Sequence, residues 1–178
     1  MIRLDIGVIL EAISFAARKH EGQLRKDQIT PYIAHPIRVM ITLATVFQVD
    51  DPEVLAAAAL HDTIEDTTTD RDELVERFGE RVAAMVAMLS KDKRKPYGER
   101  EPEYFHGLES APIEVRLCKL ADLYDNLSDA AHLLPEARRK SIAQAQQALE
   151  IFSPSFPDDY RWALERFEQR LKITVSTL

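Results

Sequence analysis

The 178-residue chain has one cysteine, one tryptophan and five glycines, and each scarcity closes off a class of protein. Cys118 alone cannot form an internal disulfide, and its apolar surroundings read as those of a small core residue. The glycines are scattered, so no Gly-rich phosphate loop is present. No apolar run approaches the ~20 residues of a membrane span. The first segment mixes Arg3, Asp5 and Glu11 among its apolar residues, unlike a secretory signal. A cytosolic protein without a membrane partner is expected. Positive charge is also in deficit, with 23 Lys and Arg against 30 Asp and Glu for a net −7. That balance argues against nucleic acid as a partner, although local Lys and Arg clusters can still hold a small anion. Neither internal repeats nor alternating strand patterns occur, and a homo-oligomer stays open.

What is present is helical periodicity. With 46% hydrophobic and 30% charged residues, the chain reads as one ordinary globular domain over 1–178. Ile6, Ile9, Leu10, Ile13, Ala16 and Ala17 predict a helix over 5–20, ended by Gly22. Pro36 opens a second helix that carries Ile37, Met40 and Ile41 inward, with His35 just ahead of it. Asp51 and Pro52 cap a third, and Asp70 a fourth that Gly79 breaks. A fifth runs over 81–90, with Met85 and Met88 as core filler. After the charged run at 91–96, which reads either as a solvated loop or as one that closes over phosphates, Ala111 and Pro112 open the most informative helix. Its core stripe is Ile113, Leu117, Leu120, Tyr124 and Leu127, and its polar stripe is Lys119, Asp122, Asn126 and Asp129. Two further helices follow, one from Pro135 to Phe152 and one carrying Trp162, Leu164, Phe167 and Leu171. The fold class is all-α, a compact multi-helix bundle with a motif core over about 10–130 and C-terminal helices over 135–174.

The chemistry gathers where the apolar stretch 55–60 runs into His61, Asp62, Glu65 and Asp66. A metal bound there needs more ligands, and His35 upstream and Asp122 downstream each sit at the polar edge of a helix. Two imidazoles and two carboxylates form a mixed nitrogen and oxygen set that suits Mn²⁺, Fe²⁺, Zn²⁺ or Co²⁺. Four protein ligands leave open positions for water and a phosphate oxygen. Glu65 and Asp66, a turn beyond, are placed to orient or deprotonate that water, and they would equally serve as acidic caps before Thr67, Thr68 and Thr69. A His-Asp pair by itself is more often an ordinary helix end. Its occurrence with His35 and Asp122 in one all-α chain shifts the balance.

These residues resemble the HD-domain phosphohydrolases, in particular the hydrolase domain of RelA/SpoT-type alarmone enzymes and the small alarmone hydrolases. The matching pieces stand in family order: Ala16-Ala17-Arg18-Lys19-His20-Glu21-Gly22-Gln23, Arg25-Lys26-Asp27, Pro31-Tyr32-Ile33-Ala34-His35-Pro36, Leu60-His61-Asp62-Thr63-Ile64-Glu65-Asp66, and Lys119-Leu120-Ala121-Asp122 with Asn126. The resemblance implies one Mn²⁺ held by His35, His61, Asp62 and Asp122, with Glu65 and Asp66 preparing the attacking water. It implies a substrate-binding set of Arg25 and Lys26 near base and phosphates, Asn126 on the ribose, and Lys119. The implied reaction releases pyrophosphate from the 3′ position of a guanosine alarmone, (p)ppGpp. The chain departs from the family pattern at Leu123 and Ser128, where basic residues are usual, and at Asp129, where a small hydroxyl residue is usual. The adenosine alarmones (p)ppApp therefore stay in view, beside removal of the 2′-phosphate of NADPH. A metal-bound module that senses a nucleotide without cleaving it is the remaining alternative, against which Glu65 and Asp66 speak.

Overall fold

The computed structural model describes residues 6–177. Regular structure within them is helical, apart from a single bridge between Leu24 and Pro31. The helix on which the others are laid is α3, Pro52–Leu60. Every residue from Val54 through Leu60 is buried, four of them alanines, so neighbouring helices can approach it closely on all sides. Asp51 starts it, accepting hydrogen bonds from the Glu53 and Val54 amides at 2.9 and 3.4 Å, with Pro52 in the first turn. Arg81 holds the other carboxylate oxygen at 2.8 Å.

Packed against α3 are α1 (Ile6–Lys19), α2 (Ala34–Thr45) and α5 (Arg71–Leu89). The single turn α4 (Thr63–Asp66) follows α3 directly. Next come α6 (Tyr97–Glu109) and α7 (Ile113–Ser128), and α7 is buried along almost its full length against α2, α3 and α5. Over its far side lie α8 (Pro135–Phe152) and α9 (Arg161–Ser176). Phe15, Phe47, Phe105, Phe152 and Phe167 are fully buried in the core, each stabilising the fold by about 1.5–3 kcal/mol relative to exposure.

The all-α expectation stands, with local corrections. Helix α2 begins at Ala34, two residues before Pro36, so His35 lies inside its first turn. The turn ahead of it already makes helical bonds, Ala34 to the Pro31 carbonyl at 3.1 Å and His35 to that of Tyr32 at 2.9 Å. Gly79 interrupts α5 as expected, at φ 83° and ψ 167°, so that α5 is two helical segments meeting at a kink. Ile6, Leu10, Ile41 and Met88 are exposed rather than inward. No described helix is long and apolar enough to cross a membrane.

Candidate active site

The end of α3 carries the site because the chain cannot continue straight there. Thr63 Oγ1 donates to the Leu60 carbonyl at 2.7 Å, closing the helix and turning His61 and Asp62 into the space between α2 and α7. His61 Nδ1 donates to the Ala58 carbonyl at 2.8 Å. His35 Nδ1 donates to Asp125 Oδ2 at 2.7 Å. Both partners only accept, so each ring carries its proton on Nδ1 and presents Nε2 to the interior. His35 Nε2 then lies 3.2 Å from Asp122 Oδ1 and 3.6 Å from Asp62 Oδ2. Ligand atoms of His35, His61 and Asp62 fall within 4.8 Å of one another, and Asp122 joins them through its contact with His35.

This donor set fits a divalent cation. His61 Nε2 is 3.0 Å from Asp62 Oδ2, yet it is buried without a hydrogen-bond partner. Burial alone would push His61 down, but the Asp62 charge outweighs it and lifts the group to about 9. Burial likewise opposes protonation of His35, and hydrogen bonds to Asp122 and Asp125 raise it regardless. Asp62 and Asp122 are both held below the usual carboxylate range despite burial, Asp62 chiefly by His61 and Asp122 chiefly by Lys119. The two carboxylates thus call for positive charge at the point on which both Nε2 atoms converge.

Around this cluster the surrounding residues fix the carboxylates. Tyr32 donates its hydroxyl to Asp62 Oδ2 at 2.6 Å and lies 3.4 Å from Asp66 Oδ2. Lys119 Nζ donates to Asp122 Oδ2 at 2.8 Å, and Asn126 Nδ2 to Asp122 Oδ1 at 2.7 Å. Glu65 accepts the Lys91 amide at 3.0 Å, and burial raises its carboxyl above the ordinary value. Asp66 pairs with Lys93, and Gln23 donates to its backbone carbonyl at 2.9 Å. Tyr32, Asp62, Glu65, Asp66, Lys119, Asp122 and Asn126 line a cavity of about 230 Å³. Acids and imidazoles share its lining with Arg25, Lys26, Lys91 and Lys119, the last paired with Asp122. Burial, then the charges of Arg25 and Lys140, push Lys26 below the usual lysine value.

All ten residues singled out from the sequence line this one cavity: His35, His61, Asp62, Asp122, Glu65, Asp66, Arg25, Lys26, Lys119 and Asn126. Sequence reasoning gave no role to Asp125 or to Tyr32, and left the run that begins at Lys91 open between a solvated loop and one that closes over phosphates. Asp125 is 2% exposed and bridges His35 to Arg38 Nε, 2.7 Å from its other oxygen; its position three residues after Asp122 was the signal available. The run at 91–96 divides: Arg94 is solvated and paired with Asp92, whereas Lys91 lines the cavity, bound to Glu101 at 3.1 Å and 5.2 Å from the Tyr104 ring centre. Leu123 is a core residue, so its departure from the family pattern lies outside the pocket.

Residues 12–154 match the HD domain family. The chain is 43% identical over 130 residues to the guanosine-3′,5′-bis(diphosphate) 3′-pyrophosphohydrolase MESH1 of Danio rerio, covering 72% of each. It is 39% identical over 150 residues to the bifunctional (p)ppGpp synthase/hydrolase SpoT of Escherichia coli strain K12, covering 81% of this chain and 20% of that one. Among solved structures, a metazoan ortholog of SpoT, described as hydrolyzing ppGpp, superposes with a TM-score of 0.79 at 31% identity, over 92% of this chain and 95% of that one. The paired Nε2 atoms, the two carboxylates beside them and a family match that spans most of the sequence lead to one assignment: this chain belongs to the HD-domain family.

Proposed function

We propose that the protein is a Mn²⁺-dependent alarmone 3′-pyrophosphohydrolase, which removes pyrophosphate from the 3′ position of (p)ppGpp, with (p)ppApp the competing substrate. One observation carries the reading: a cluster of two imidazole Nε2 atoms and two carboxylates shares a single cavity of about 230 Å³ with four cationic side chains. The activities named for the Danio rerio relative and for the structural neighbour support it. His35, His61, Asp62 and Asp122 would hold the ion. When bound, it supplies Lewis-acid polarisation of the phosphoryl group and lowers the pKa of water.

The remaining steps belong to the chain's own residues. Glu65, whose burial raises its proton affinity, accepts the proton of the attacking water, and Asp66 orients that water. Lys91 and Lys119 set positive charge beside the pyrophosphoryl group as water attacks its 3′-linked phosphorus; the P–O3′ bond breaks and the ribose 3′ oxygen leaves, taking up a proton to become the hydroxyl. Arg25 and Lys26 hold base and phosphates, and Asn126, fixed by its bond to Asp122, contacts the ribose. Such a nucleotide substrate goes with a cytosolic setting.

The test is pyrophosphate release from ppGpp and ppApp in parallel, with Mn²⁺ and with chelator, taking Asp62→Ala as the blank. Metal-dependent release from ppGpp is expected. If Mn²⁺-loaded protein releases pyrophosphate from neither nucleotide, the reading fails and the 2′-phosphate of NADPH becomes the next substrate to try.

A further inference from the structure

The catalytic cavity does not end at Asn126. Across Arg25, Lys26 and Asn126 it adjoins a second cavity of about 270 Å³, whose far side is formed by Arg38, Asp129 and Leu133. On the reading above, a nucleotide with its 3′ phosphate at the His-Asp cluster and its ribose at Asn126 sends its base into this second space.

Two carboxylates line that space, and one is already consumed. Asp27 gives its oxygens to the Ile29 amide at 2.9 Å, the Thr30 amide at 2.9 Å and the Thr30 hydroxyl at 2.6 Å, all within its own turn. Asp129 differs. Its Oδ2 accepts from Arg25 Nη2 at 3.1 Å and its Oδ1 from Arg38 Nη1 at 2.8 Å. A carboxylate offers about four lone-pair positions, so about two stay open for a ligand. Burial works against its charge, but the hydrogen bonds from Arg25 and Arg38 outweigh this and hold its carboxyl below the usual range. The group is an acceptor throughout the neutral range.

Arg38 and Arg25 also fix where that acceptor sits. Arg38 spans Asp125 and Asp129, at 2.7 and 2.8 Å, while Arg25 spans Asp129 and Asn126, the latter at 3.4 Å. The Asp129 carboxylate is thereby tied at both oxygens to the framework that orients His35 and Asn126. Asn126 touches the ribose in the proposed pose, so an acceptor held in register with it is placed to read the attached base.

We propose that Asp129 is the specificity-determining residue for the base and selects guanine over adenine; this rests on the alarmone reading of the site. Guanine presents adjacent N1–H and N2–H₂ donors, which a carboxylate accepts together. Adenine presents the N1 lone pair at the corresponding point, and two acceptors then face each other with no proton between them. A bidentate contact of this kind corresponds to a preference of about 10- to 100-fold.

The experiment compares kcat/KM for ppGpp and ppApp in the wild type, Asp129→Asn and Asp129→Ser, all loaded with Mn²⁺. The wild type is expected to prefer ppGpp by about 10- to 100-fold. In both variants ppGpp should lose most of that advantage through KM, while ppApp falls far less and the ratio moves toward one. Turnover of ppApp in the same sample reports that the variant is folded. Equal losses on both nucleotides would overturn the proposal, because Asp129 would then serve only to hold Arg25. An unchanged ratio would overturn it as well, placing base recognition elsewhere. If the wild type cleaves neither nucleotide, the alarmone reading fails first, and that outcome is distinct from the other two.

Discussion

Asp125 sits between His35 and Arg38 and contacts neither the cavity nor solvent: one oxygen accepts from His35 Nδ1 and the other from Arg38 Nε. Such a partner fixes the imidazole tautomer and so the direction of Nε2. Asp125→Asn keeps the shape and removes the charge, and should weaken Mn²⁺ binding by about 10- to 100-fold. Calorimetric metal titration checks this, and unchanged affinity would show that His35 needs no orienting. Glu65 gives a different signature. Its carboxyl is raised by burial, and a base works only when deprotonated. Activity should be present above this raised value and fall as pH drops through it, higher than for an ordinary glutamate. Glu65→Gln should lose rate, retain metal and lose this acid limb; a limb that survives in the variant assigns the titration to another group. The candidate ligands were legible in the sequence only as a set: a His-Asp pair at a helix end is ordinary by itself and gains meaning beside His35 and Asp122. Asp125 was not: its importance lies in burial, and its neighbours at 122 and 126 had already taken up the polar stripe.

Helices were legible as elements but less so as surfaces. Periodicity places Leu10, Ile41 and Met88 on apolar stripes, yet nothing in a stripe says whether a neighbour covers all of it, and these three are exposed. The start of α2 was misplaced because Pro36 is a strong helix opener, whereas the turn at Pro31 and Tyr32 had already begun the hydrogen-bond pattern. Gly79 was recognised as an interruption, and the structure gives its conformation, φ 83° and ψ 167°, a region essentially reserved for glycine. An added Cβ there would meet nothing within 4 Å, so the cost of Gly79→Ala is confined to the backbone. About 1–3 kcal/mol of stability should be lost, read from the midpoint of denaturant unfolding. A loss below about 0.5 kcal/mol would mean that α5 straightens through the site, which surface-substitution behaviour would resemble.

At the scale of the molecule, the candidate metal ligands tie separate helices together: His35 comes from α2, His61 and Asp62 from the end of α3, and Asp122 from α7. A cation shared among them would be a cross-link between segments far apart in sequence, present only in the folded state. Ligand that binds the native state alone stabilises it by RT ln(1 + [L]/Kd), about 2.7 kcal/mol at a hundredfold excess over Kd. For a chain of this length that corresponds to a rise of about 5–10 °C in Tm. Adding Mn²⁺ to chelator-stripped protein should produce such a rise, and fresh chelator should reverse it. The comparison with Asp62→Ala is decisive, because this change removes one ligand of the cluster and leaves the surface carboxylates in place. With a net charge of −7, scattered Mn²⁺ association on the surface would raise Tm equally in both proteins. A response confined to the wild type assigns the stabilisation to the cluster. An equal response would mean that His35, His61, Asp62 and Asp122 converge without holding an ion, and the hydrolytic reading would lose its foundation.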